Sequence, residues 1–557
     1  MLKLKLIKND LLKIKLVNKP KIYDLKCNFK FPDVVLAKLQ EKEVTPIKLE
    51  QEVVADEGYD GLSKVTVKKI PDNYIIPTGT TIITSNGIKD VTKYATAIVN
   101  TPEVIEEKES KDVNFYDTDG KRLYSYTLAE VQRLTSLPQV PTKSGLINGA
   151  WNWTLAQLKE HNNICDVGLT YETDDGTTRV YIDIDEEAPD YKFIIYGHGT
   201  VANGVKIDWG DGNSEYFGTS AQAKTHTYAN AGKYTIKITV ESGKFWAGGS
   251  TQYGFCGALA SYSLFRLRPV KKIEIGSNFT PSNYCFARLC NLEEITISKT
   301  MTRWNNASMF YYCSELKQVT IPYNSSTVLT SYTFAKMSNL KALCMCYGVV
   351  SFTNNFCSTN AVDRIALSEK FTKDTLPSYT SNENQRLKQV HLSSKVKTID
   401  GYAFQNSFAL NKINLDNVTT KIGRSAFNGC NNLTNIGNLN AEIIDGQSFY
   451  ATGLTGKLKI KAKNIGTSDD APGGRCFGSD EGLEKVWISN SCEYINNSTN
   501  GCKNYIGAPF YGCSSNLVIY LEATEAPTAF GTYWNYINAS TQLTVVYGVS
   551  ESEFDAL

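Results

Sequence analysis

Cysteine recurs beside phenylalanine in the second half of the chain, so thiol chemistry is considered first. Cys290, Cys313, Cys430 and Cys513 each follow a Phe and precede a Leu by a few residues. A reactive thiolate needs a neighbouring base or cation, and a metal site needs further ligands at fixed spacing. Stretches with the same spacing carry Met, Ser or Phe at this place. A place that accepts Cys, Ser and Met is a small packing position, so nucleophilic or metal-binding cysteine is not expected.

Carboxylates cluster at Asp183, Asp185, Glu186 and Glu187, and paired carboxylates are what a glycosidase requires. The surrounding residues, YIDIDEEAPDY, instead predict a strand that leads into an acidic loop. A hidden glycosidase remains the alternative for this segment.

Two further polar groups suggest metal or acid–base chemistry. Asp208, Asp211 and His226 are one group, and residues 117–120 (Asp-Thr-Asp-Gly) are a possible calcium loop. The later acidic ligand of an EF-hand is missing after residue 120, which favours a hairpin turn. Asp208, Asp211 and His226 fall at turn and strand-start positions, which favours a structural role. The four His residues (161, 198, 226, 391) occupy separate modules, so we predict no enzyme, no cofactor and no metal site.

Composition limits the partners. The net charge is +1, with 58 basic and 57 acidic side chains, which argues against nucleic acid. The sequence contains neither an apolar run of about 18 residues nor an N-terminal secretory segment, so we predict no membrane insertion and no general export. Fourteen Cys without a CxxC pair indicate free thiols in a reducing cytoplasm. Many Thr, Asn and Gly and 32 Tyr favour strands and turns.

The N-terminal part divides into three segments. Residues 1–44 begin with LKLKLIKNDLLKIKLV, whose alternation predicts two strands and a turn rather than a membrane-active helix. Residues 45–102 contain an echo, 58–71 answered by 87–102, which predicts two small β modules. Residues 103–165 begin with a charged linker (103–111) and continue into a small α/β segment with helices at Leu128–Leu134 and Leu155–His161. The GYDG-S-VTV-IP module and the later YD-DG…SYT…WNWTL segment resemble parts of tailed-phage structural proteins.

Residues 166–245 carry VKIDWGDGNSEYF and KTHTYANAGKYTIKITV, which resemble a PKD-type immunoglobulin-like sandwich. Asp-Gly supplies the positive φ of a hairpin turn, and the alternating apolar residues face an inter-sheet core. Residues 246–269 are interpreted as a connector or cap.

From residue 270 onward one unit repeats: FARLCNLEEITI (286–297), FYYCSELKQVTI (310–321), FAKMSNLKALCM (334–345), FQNSFALNKINL (404–415) and FNGCNNLTNI (427–436) are copies of it. The leading Leu or Val recurs at a spacing of roughly 23 residues, within the range of strand-bearing solenoids. The pattern I-x-x-x-AF-x-x-C-x-x-L-x-x-I-x-I resembles the BspA-like leucine-rich repeat, a resemblance that implies adhesion or recognition. The prediction is therefore a mainly β, multidomain chain: small β modules, a sandwich, and a solenoid over 270–557 with one short strand per repeat and a C-terminal cap.

Side chains alternate along a strand, so the middle residue of each I-x-I strand should point outward. This ladder comprises Thr296, Thr320, Cys344, Ala366, His391, Asn414, Lys459, Trp487 and Tyr520. Trp487 and Tyr520 would expose large rings that stack on sugars or anchor a protein partner, unless inserted loops cover them. The candidate ligand-contact residues are His391, Asn414, Lys459, Trp487 and Tyr520.

These features lead to a non-enzymatic phage virion protein as the first functional prediction. Its N-terminal region would attach to other virion proteins, the sandwich would act as a spacer, and the solenoid would bind a host-surface glycan or protein, as a homo-oligomer. A bacterial cell-surface adhesin is the second prediction and places the chain on the cell instead of the particle. A capsid or baseplate decoration without a receptor role is the third.

Overall fold

A computed structural model of the chain describes residues 2–7, 11–16, 34–39, 81–84, 87–90 and 111–557, apart from 189, 251, 256, 259–268, 325, 360, 467–473 and 496–506. The chain divides into two units, Met1–Glu109 and Ser110–Leu557. Strands and helices are numbered along the chain.

The first unit contains a five-stranded antiparallel sheet with the order β2-β1-β3-β4-β5. Its strands are β1 (Leu2–Ile7), β2 (Leu11–Leu16), β3 (Val34–Leu39), β4 (Thr81–Thr84) and β5 (Gly87–Asp90). β1 and β2 pair as the alternating pattern predicts. The first member of the echo (58–71), most of the second (87–102) and nearly all of the linker (103–111) lie outside the described residues.

The second unit starts with a four-stranded sheet, order β7-β6-β9-β8, and two short helices. The elements are β6 (Val113–Tyr116), β7 (Arg122–Tyr126), α1 (Leu128–Arg133), β8 (Leu146–Trp151), α2 (Leu155–His161) and β9 (Cys165–Thr173). Both helices begin at a Thr in a capping box, Thr127 with Glu130 and Thr154 with Gln157. The predicted helices are thus confirmed. Residues 117–120 form the β6–β7 hairpin turn, where Gly120 has a φ of 85°.

A β-sandwich follows. Its strands are β10 (Thr178–Ile184), β11 (Lys192–Gly199), β12 (Val205–Asp208), β13 (Ser214–Tyr216), β14 (Gln222–Thr227), β15 (Gly232–Val240) and β16 (Phe245–Ala247). Side chains alternate between buried and partly exposed along β10 and β11, and the buried ones share one apolar cluster. β9, which begins at the expected domain boundary near residue 165, pairs within the preceding four-stranded sheet. A short antiparallel pair, β17 (Gln252–Tyr253) and β18 (Gly257–Ala258), lies in the connector.

The solenoid contains two rows of parallel strands. Row one contains β19 (Val270–Glu274), β21 (Glu294–Thr296), β22 (Gln318–Thr320), β24 (Ala342–Cys344), β26 (Arg364–Ala366), β28 (Gln389–His391), β30 (Lys412–Ile413), β32 (Asn438–Leu439), β34 (Gly456–Ile460), β36 (Leu483–Ile488), β38 (Val518–Leu521) and β39 (Thr544–Tyr547). Row two contains β20 (Phe279–Pro281), β23 (Thr327–Leu329), β25 (Val349–Phe352), β27 (Thr375–Leu376), β29 (Thr398–Ile399), β31 (Lys421–Ile422), β33 (Ile443–Ile444), β35 (Asn464–Ile465) and β37 (Tyr494–Ile495). A last helix, α3 (Glu551–Ala556), follows β39.

The solenoid thus differs from the prediction of one strand per repeat. Most row two strands pair over only two residues, a length too short to show an alternating pattern in the sequence. Row one is continuous with the sandwich because β19 pairs with β10 on one side and with β21 on the other. One apolar cluster accordingly extends from Val180 to Leu543.

The third side of the solenoid, the turn row, consists of the tight turns that hold the repeated phenylalanines. Phe404, Phe427 and Phe449 stack with ring centroids 5.4 and 5.2 Å apart. Each turn also donates backbone N–H groups to the next coil, as Phe404 does to Ala426 (2.8 Å). Stacked rings and hydrogen bonds between coils provide the burial that one coil cannot achieve alone.

Candidate functional site

The predicted ladder lies on the face of row one that points away from the core, and parallel pairing aligns its rungs. Lys459 is in register with Trp487, Trp487 with Tyr520, and Tyr520 with Val546. Ala366 is in register with His391. Side chains alternate along each strand, and the ladder residues therefore lie on the outer face of row one.

The early rungs are covered by the sheet that contains β6–β9. Thr296, Thr320 and Cys344 are all buried. The Asn152 side-chain amide donates to the carbonyls of Ile321 and Cys344, both at 2.9 Å. The indole N–H of Trp153 donates to the carbonyl of Met345 at 2.7 Å. These contacts fix the α/β segment on the outer face of row one.

A buried charge pair joins the same two surfaces. The Arg364 guanidinium donates to the carbonyls of Lys111 and Asp112 at 3.0 and 2.9 Å, and its Nε lies 3.5 Å from Asp166. Burial raises the pKa of Asp166 to about 6, although Arg364 and the Asn114 amide oppose the rise. The arrangement anchors Asp112 and its neighbours to the solenoid.

His391 lies at the border of this covered region. Its ring is 5.6 Å from the ring of His161 on α2, so the structure brings together two histidines that the sequence assigned to separate modules. Burial, and then the neighbouring His161, lower the pKa of His391 to about 4. Burial also lowers the pKa of His161. Both imidazoles are consequently neutral near pH 7 and form an uncharged contact.

Asn414 has a structural hydrogen-bonding role. Its side-chain oxygen accepts from the backbone N–H of Leu392 at 2.7 Å, and its side-chain nitrogen donates to the carbonyl of the same residue at 3.0 Å. The amide thus takes the place of a backbone partner and holds two coils together.

The last three candidates lie beneath the C-terminal segment. Trp487 is 1% exposed, and its indole N–H donates to the carbonyl of Val549 at 2.8 Å. The Tyr520 ring packs edge-on against Phe554 of α3, with centroids 5.4 Å apart. Lys459 pairs with Glu551 and Asp555, each at 3.0 Å. The expected exposure of Trp487 is therefore not found, because α3 and Val549 cover this end of the ladder.

The other chemistry-bearing groups also have structural partners. The thiols of Cys313, Cys430 and Cys513 donate to the carbonyl of the phenylalanine one coil earlier, as Cys430 does to Phe404 at 3.2 Å. Burial raises the pKa of each thiol, which keeps it protonated. The prediction of a packing position is confirmed for these three residues.

The polar group of the sandwich does converge. His226 lies 2.7 Å from Asp211 and stacks on Trp209 with ring centroids 5.0 Å apart. The Tyr228 hydroxyl donates to the Trp209 carbonyl at 2.9 Å. These contacts fix the β12–β13 hairpin to β14, and they match the structural role predicted for the group.

The acidic cluster at 183–187 lies where β10 ends, as predicted. Asp183, Asp185 and Glu186 line an open cleft together with Lys271 and Asn291. Within the described part of the chain, no group of three or more His, Cys, Asp or Glu side chains is arranged to hold a metal ion. No helix among the described residues is long and apolar enough to cross a membrane.

The exposed aromatic surface that the sequence interpretation missed lies on the turn row. Tyr312 and Tyr332 are 48% and 44% exposed, and the half-buried rings of Tyr379 and Tyr402 stack with centroids 5.1 Å apart. We call these four residues the tyrosine edge. Tyr332 and Tyr402 stand two residues before a stacked Phe and Tyr312 stands two residues after one, so the repeated Phe was a sequence signal for these three residues but not for Tyr379.

All four tyrosines have a left-handed backbone, with φ of 65° at Tyr312, 59° at Tyr332, 55° at Tyr379 and 61° at Tyr402. Gly429 and Gly512 occupy the position of Tyr312 in other coils, with φ of 78° and 79°. A bulky side chain in this conformation costs about 1 kcal/mol relative to glycine. Other coils have a left-handed backbone at the same two positions, as at Lys336, Asn406 and Ser425, so this conformation belongs to the turn and not to tyrosine.

Comparison with known proteins identifies the repeat. Residues 259–379 and 353–471 match the model of the BspA type leucine rich repeat region, with six copies. No curated protein sequence matches the chain.

Among solved structures, a leucine-rich repeat protein from Bacteroides ovatus has 18% identity and a TM-score of 0.38 over 50% of this chain and 66% of that one. The pneumococcal vaccine antigen PcpA has 15% identity and a TM-score of 0.26, over 53% of this chain and 84% of that one. A leucine rich cell surface protein from Faecalibacterium prausnitzii has 15% identity and a TM-score of 0.22, over 55% and 94%.

The chain is therefore mainly β, and it contains a C-terminal β-solenoid with BspA-type leucine-rich repeats, which the family model matches between residues 259 and 471 of the sequence.

Proposed function

We propose that this chain is an adhesin-like recognition protein that binds a macromolecular partner through the tyrosine edge, and that it acts at a bacterial cell surface. The observation that carries the proposal is the exposure of Tyr312 and Tyr332 on the turn row, at 48% and 44%. Tyrosine supplies a large amphipathic contact surface and is enriched at binding hot spots.

The turn row supplies the rigidity that recognition requires. The backbone N–H of Tyr332 donates to the backbone carbonyl of Asn355 at 3.1 Å, and that of Tyr402 donates to the backbone carbonyl of Arg424 at 2.8 Å. Tyr332 and Tyr402 are thus each fixed by a neighbouring coil before a partner binds. A preorganised surface loses less conformational entropy on binding than a mobile loop does.

The titratable groups support binding rather than catalysis. His391 contacts His161, Asp166 contacts Arg364, and Lys459 contacts two carboxylates of α3. Each of these contacts joins two parts of the fold. Repeats of the BspA type are also associated with adhesion and recognition, the roles that the sequence resemblance implied.

A place on a phage particle is the second candidate. It rests on the resemblance of the N-terminal modules and of the YD-DG…WNWTL segment to phage structural proteins. The family match extends over the solenoid and supports a bacterial surface protein at least as well. A decoration without a receptor role belongs to the same second candidate.

Location and binding call for separate experiments. Antibody against residues 270–557 should label intact cells of the organism that carries the gene. Detection of the chain in purified phage particles, with unlabelled cells, would instead support the virion candidate.

Binding is measured with the full chain on intact host cells, mucin and immobilised glycans. We expect Tyr312→Ala and Tyr332→Ala each to weaken binding at least tenfold, the scale of a hot-spot residue worth about 2 kcal/mol. Tyr323→Ala is the matched control, because Tyr323 is 50% exposed and lies outside the tyrosine edge. Equal binding by all four proteins would refute the role of this edge.

A further inference from the structure

Row one ends at β39, and this strand is an edge. The order of the last sheet is β32-β34-β36-β38-β39, and within the described residues no strand pairs with the far side of β39. The strand Thr544–Tyr547 thus presents a row of backbone donors and acceptors to solvent. Such an edge is a template for pairing with another strand.

The rungs of the sheet show that the core is open at this end. Ile460 and Ile488 are fully buried and Leu521 is 2% exposed, but Tyr547, which continues this inward rung, is 44% exposed. On the outer face, Val546 continues the rung of Trp487 and Tyr520 and is 38% exposed. A terminal coil of a solenoid normally has a polar outer side, and this one does not.

β39 is protected against pairing by its length of four residues but not by its sequence. Proteins protect edge strands with lysine, proline or a bulge, whereas the residues here are Thr-Val-Val-Tyr in unbroken register with β38. The opposite end of row one is closed, because β19 pairs with β10 of the sandwich. Of the two ends of row one, only β39 is thus without a paired strand among the described residues.

We propose that this edge is a dimerisation surface at which β39 pairs antiparallel with β39 of a second copy of the chain. The occupant follows from self-complementarity: both strands offer the same apolar side chains and carry no charge. A single open edge per row closes on itself as a two-fold dimer and does not extend into a filament. This inference is independent of the proposed function.

The faces of the strand require a register centred on one residue, and the proposed register is the one centred on Val546. A two-fold axis perpendicular to the sheet keeps inward residues opposite inward residues and outward residues opposite outward ones. Val546 then lies opposite Val546 of the second copy, and Val545 lies opposite Tyr547. This pairing covers the inward Tyr547 ring and extends the sheet across both chains.

The first test is the molar mass of the full chain in solution, measured by light scattering after gel filtration at micromolar concentration. The wild-type chain is expected at twice the mass of one chain, and Val546→Lys at the mass of one. Tyr323→Lys is the control, since it places the same charge at another exposed position, Tyr323 being 50% and Val546 38% exposed. A monomeric wild-type chain, or a dimer that Val546→Lys leaves intact, would overturn the proposal.

A second test does not depend on a loss of association. Residues opposite each other in an antiparallel pair have Cα atoms about 4.5–5.5 Å apart, which a disulfide can bridge. Val546→Cys should therefore form a disulfide-linked dimer under mild oxidation, whereas Thr544→Cys, which faces Gly548 in this register, should not. Equal cross-linking by the two variants, or none by Val546→Cys, would contradict the proposed register.

Discussion

The indole N–H of Trp487 in β36 donates to the backbone carbonyl of Val549, which precedes α3. This bond fixes the C-terminal segment on the outer face of row one. The Lys459 pairs with Glu551 and Asp555 and the Tyr520–Phe554 contact hold the same segment. Trp487, which the sequence suggested as a ligand-contact residue, therefore stabilises the docked C-terminal segment.

Replacing Phe554 by Ala should release α3. A buried Phe→Ala change costs about 3–5 kcal/mol, more than a six-residue helix can lose and remain docked. We expect the amides of residues 550–557 and the Trp487 indole to lose protection from hydrogen exchange, while residues 398–444 keep theirs. Ser552→Ala, an exposed position of α3, should leave both regions protected. Retained protection in Phe554→Ala would show that the polar contacts alone hold α3.

Asp480 should make stability depend on pH. It is 1% exposed and accepts a hydrogen bond from Thr452 at 2.7 Å, while its second oxygen has no partner. Burial raises the pKa of Asp480 to about 8, although the hydrogen bonds from Thr452 oppose the rise.

Because this pKa is higher in the folded than in the unfolded chain, the free energy of unfolding should fall as pH rises from about 4 to about 8. The total change for this group is on the order of 6 kcal/mol. Asp480→Asn and Asp480→Ser should remove this part of the decline, as chemical unfolding at pH 5 and pH 9 would show. Ser is a matched choice, because Ser407 follows the repeated Phe404 by three residues just as Asp480 follows Phe477. An unchanged pH dependence in both variants would assign the decline to other groups.

Phe427 and Cys430 should differ widely in their effect on stability. The Phe427 ring lies between those of Phe404 and Phe449, so Phe427→Ala should cost about 3–5 kcal/mol. Cys430→Ser should cost less than about 1 kcal/mol, since Ser407 at the equivalent place donates to Ser381 at 2.8 Å. Urea unfolding of the two variants measures both values. A similar loss for both would mean that the thiol position does more than fill space and donate one hydrogen bond.

Arg364 should hold the α/β segment on the solenoid. Arg364→Met leaves Asp166 buried beside an apolar side chain, and breaking a buried pair costs about 3–5 kcal/mol. The change should also raise the pKa of Asp166 further, so the loss should grow as pH rises through that pKa and should shrink in acid. Hydrogen exchange of residues 113–173 at pH 5 and pH 8 would show the difference. Adding Asp166→Asn should recover part of the stability, and no recovery would argue against the charge as the cause.

Tyr332→Gly should separate stability from binding. Glycine removes the strain of a positive φ and should raise the free energy of unfolding by about 0.5–1 kcal/mol. The same change should weaken binding to host cells or glycans, because it removes an exposed ring of the tyrosine edge. Thermal unfolding and the binding measurement on one preparation provide the comparison. A more stable variant with unchanged binding would leave the strain unexplained by recognition.

Local patterns were sufficient for much of the fold. The capping residues Thr127 and Thr154 mark the starts of the two predicted helices, and the repeated Phe and Leu reveal the solenoid. Row two was missed because two-residue strands have no alternation to detect. The contact between His161 and His391 was missed because its partners are 230 residues apart in the sequence, and no local spacing connects them.

The sequence by itself determined the repeating unit, the direction of its side chains and the packing role of its cysteines, because each depends on neighbours within a coil or one coil away. Only the tertiary structure decided which outward surface is free. The four-stranded sheet covers the early rungs and α3 covers the late ones, while the tyrosine edge stays exposed. Coverage depends on where distant segments dock, and docking is set by shape and hydrogen-bond partners that no short stretch of sequence specifies.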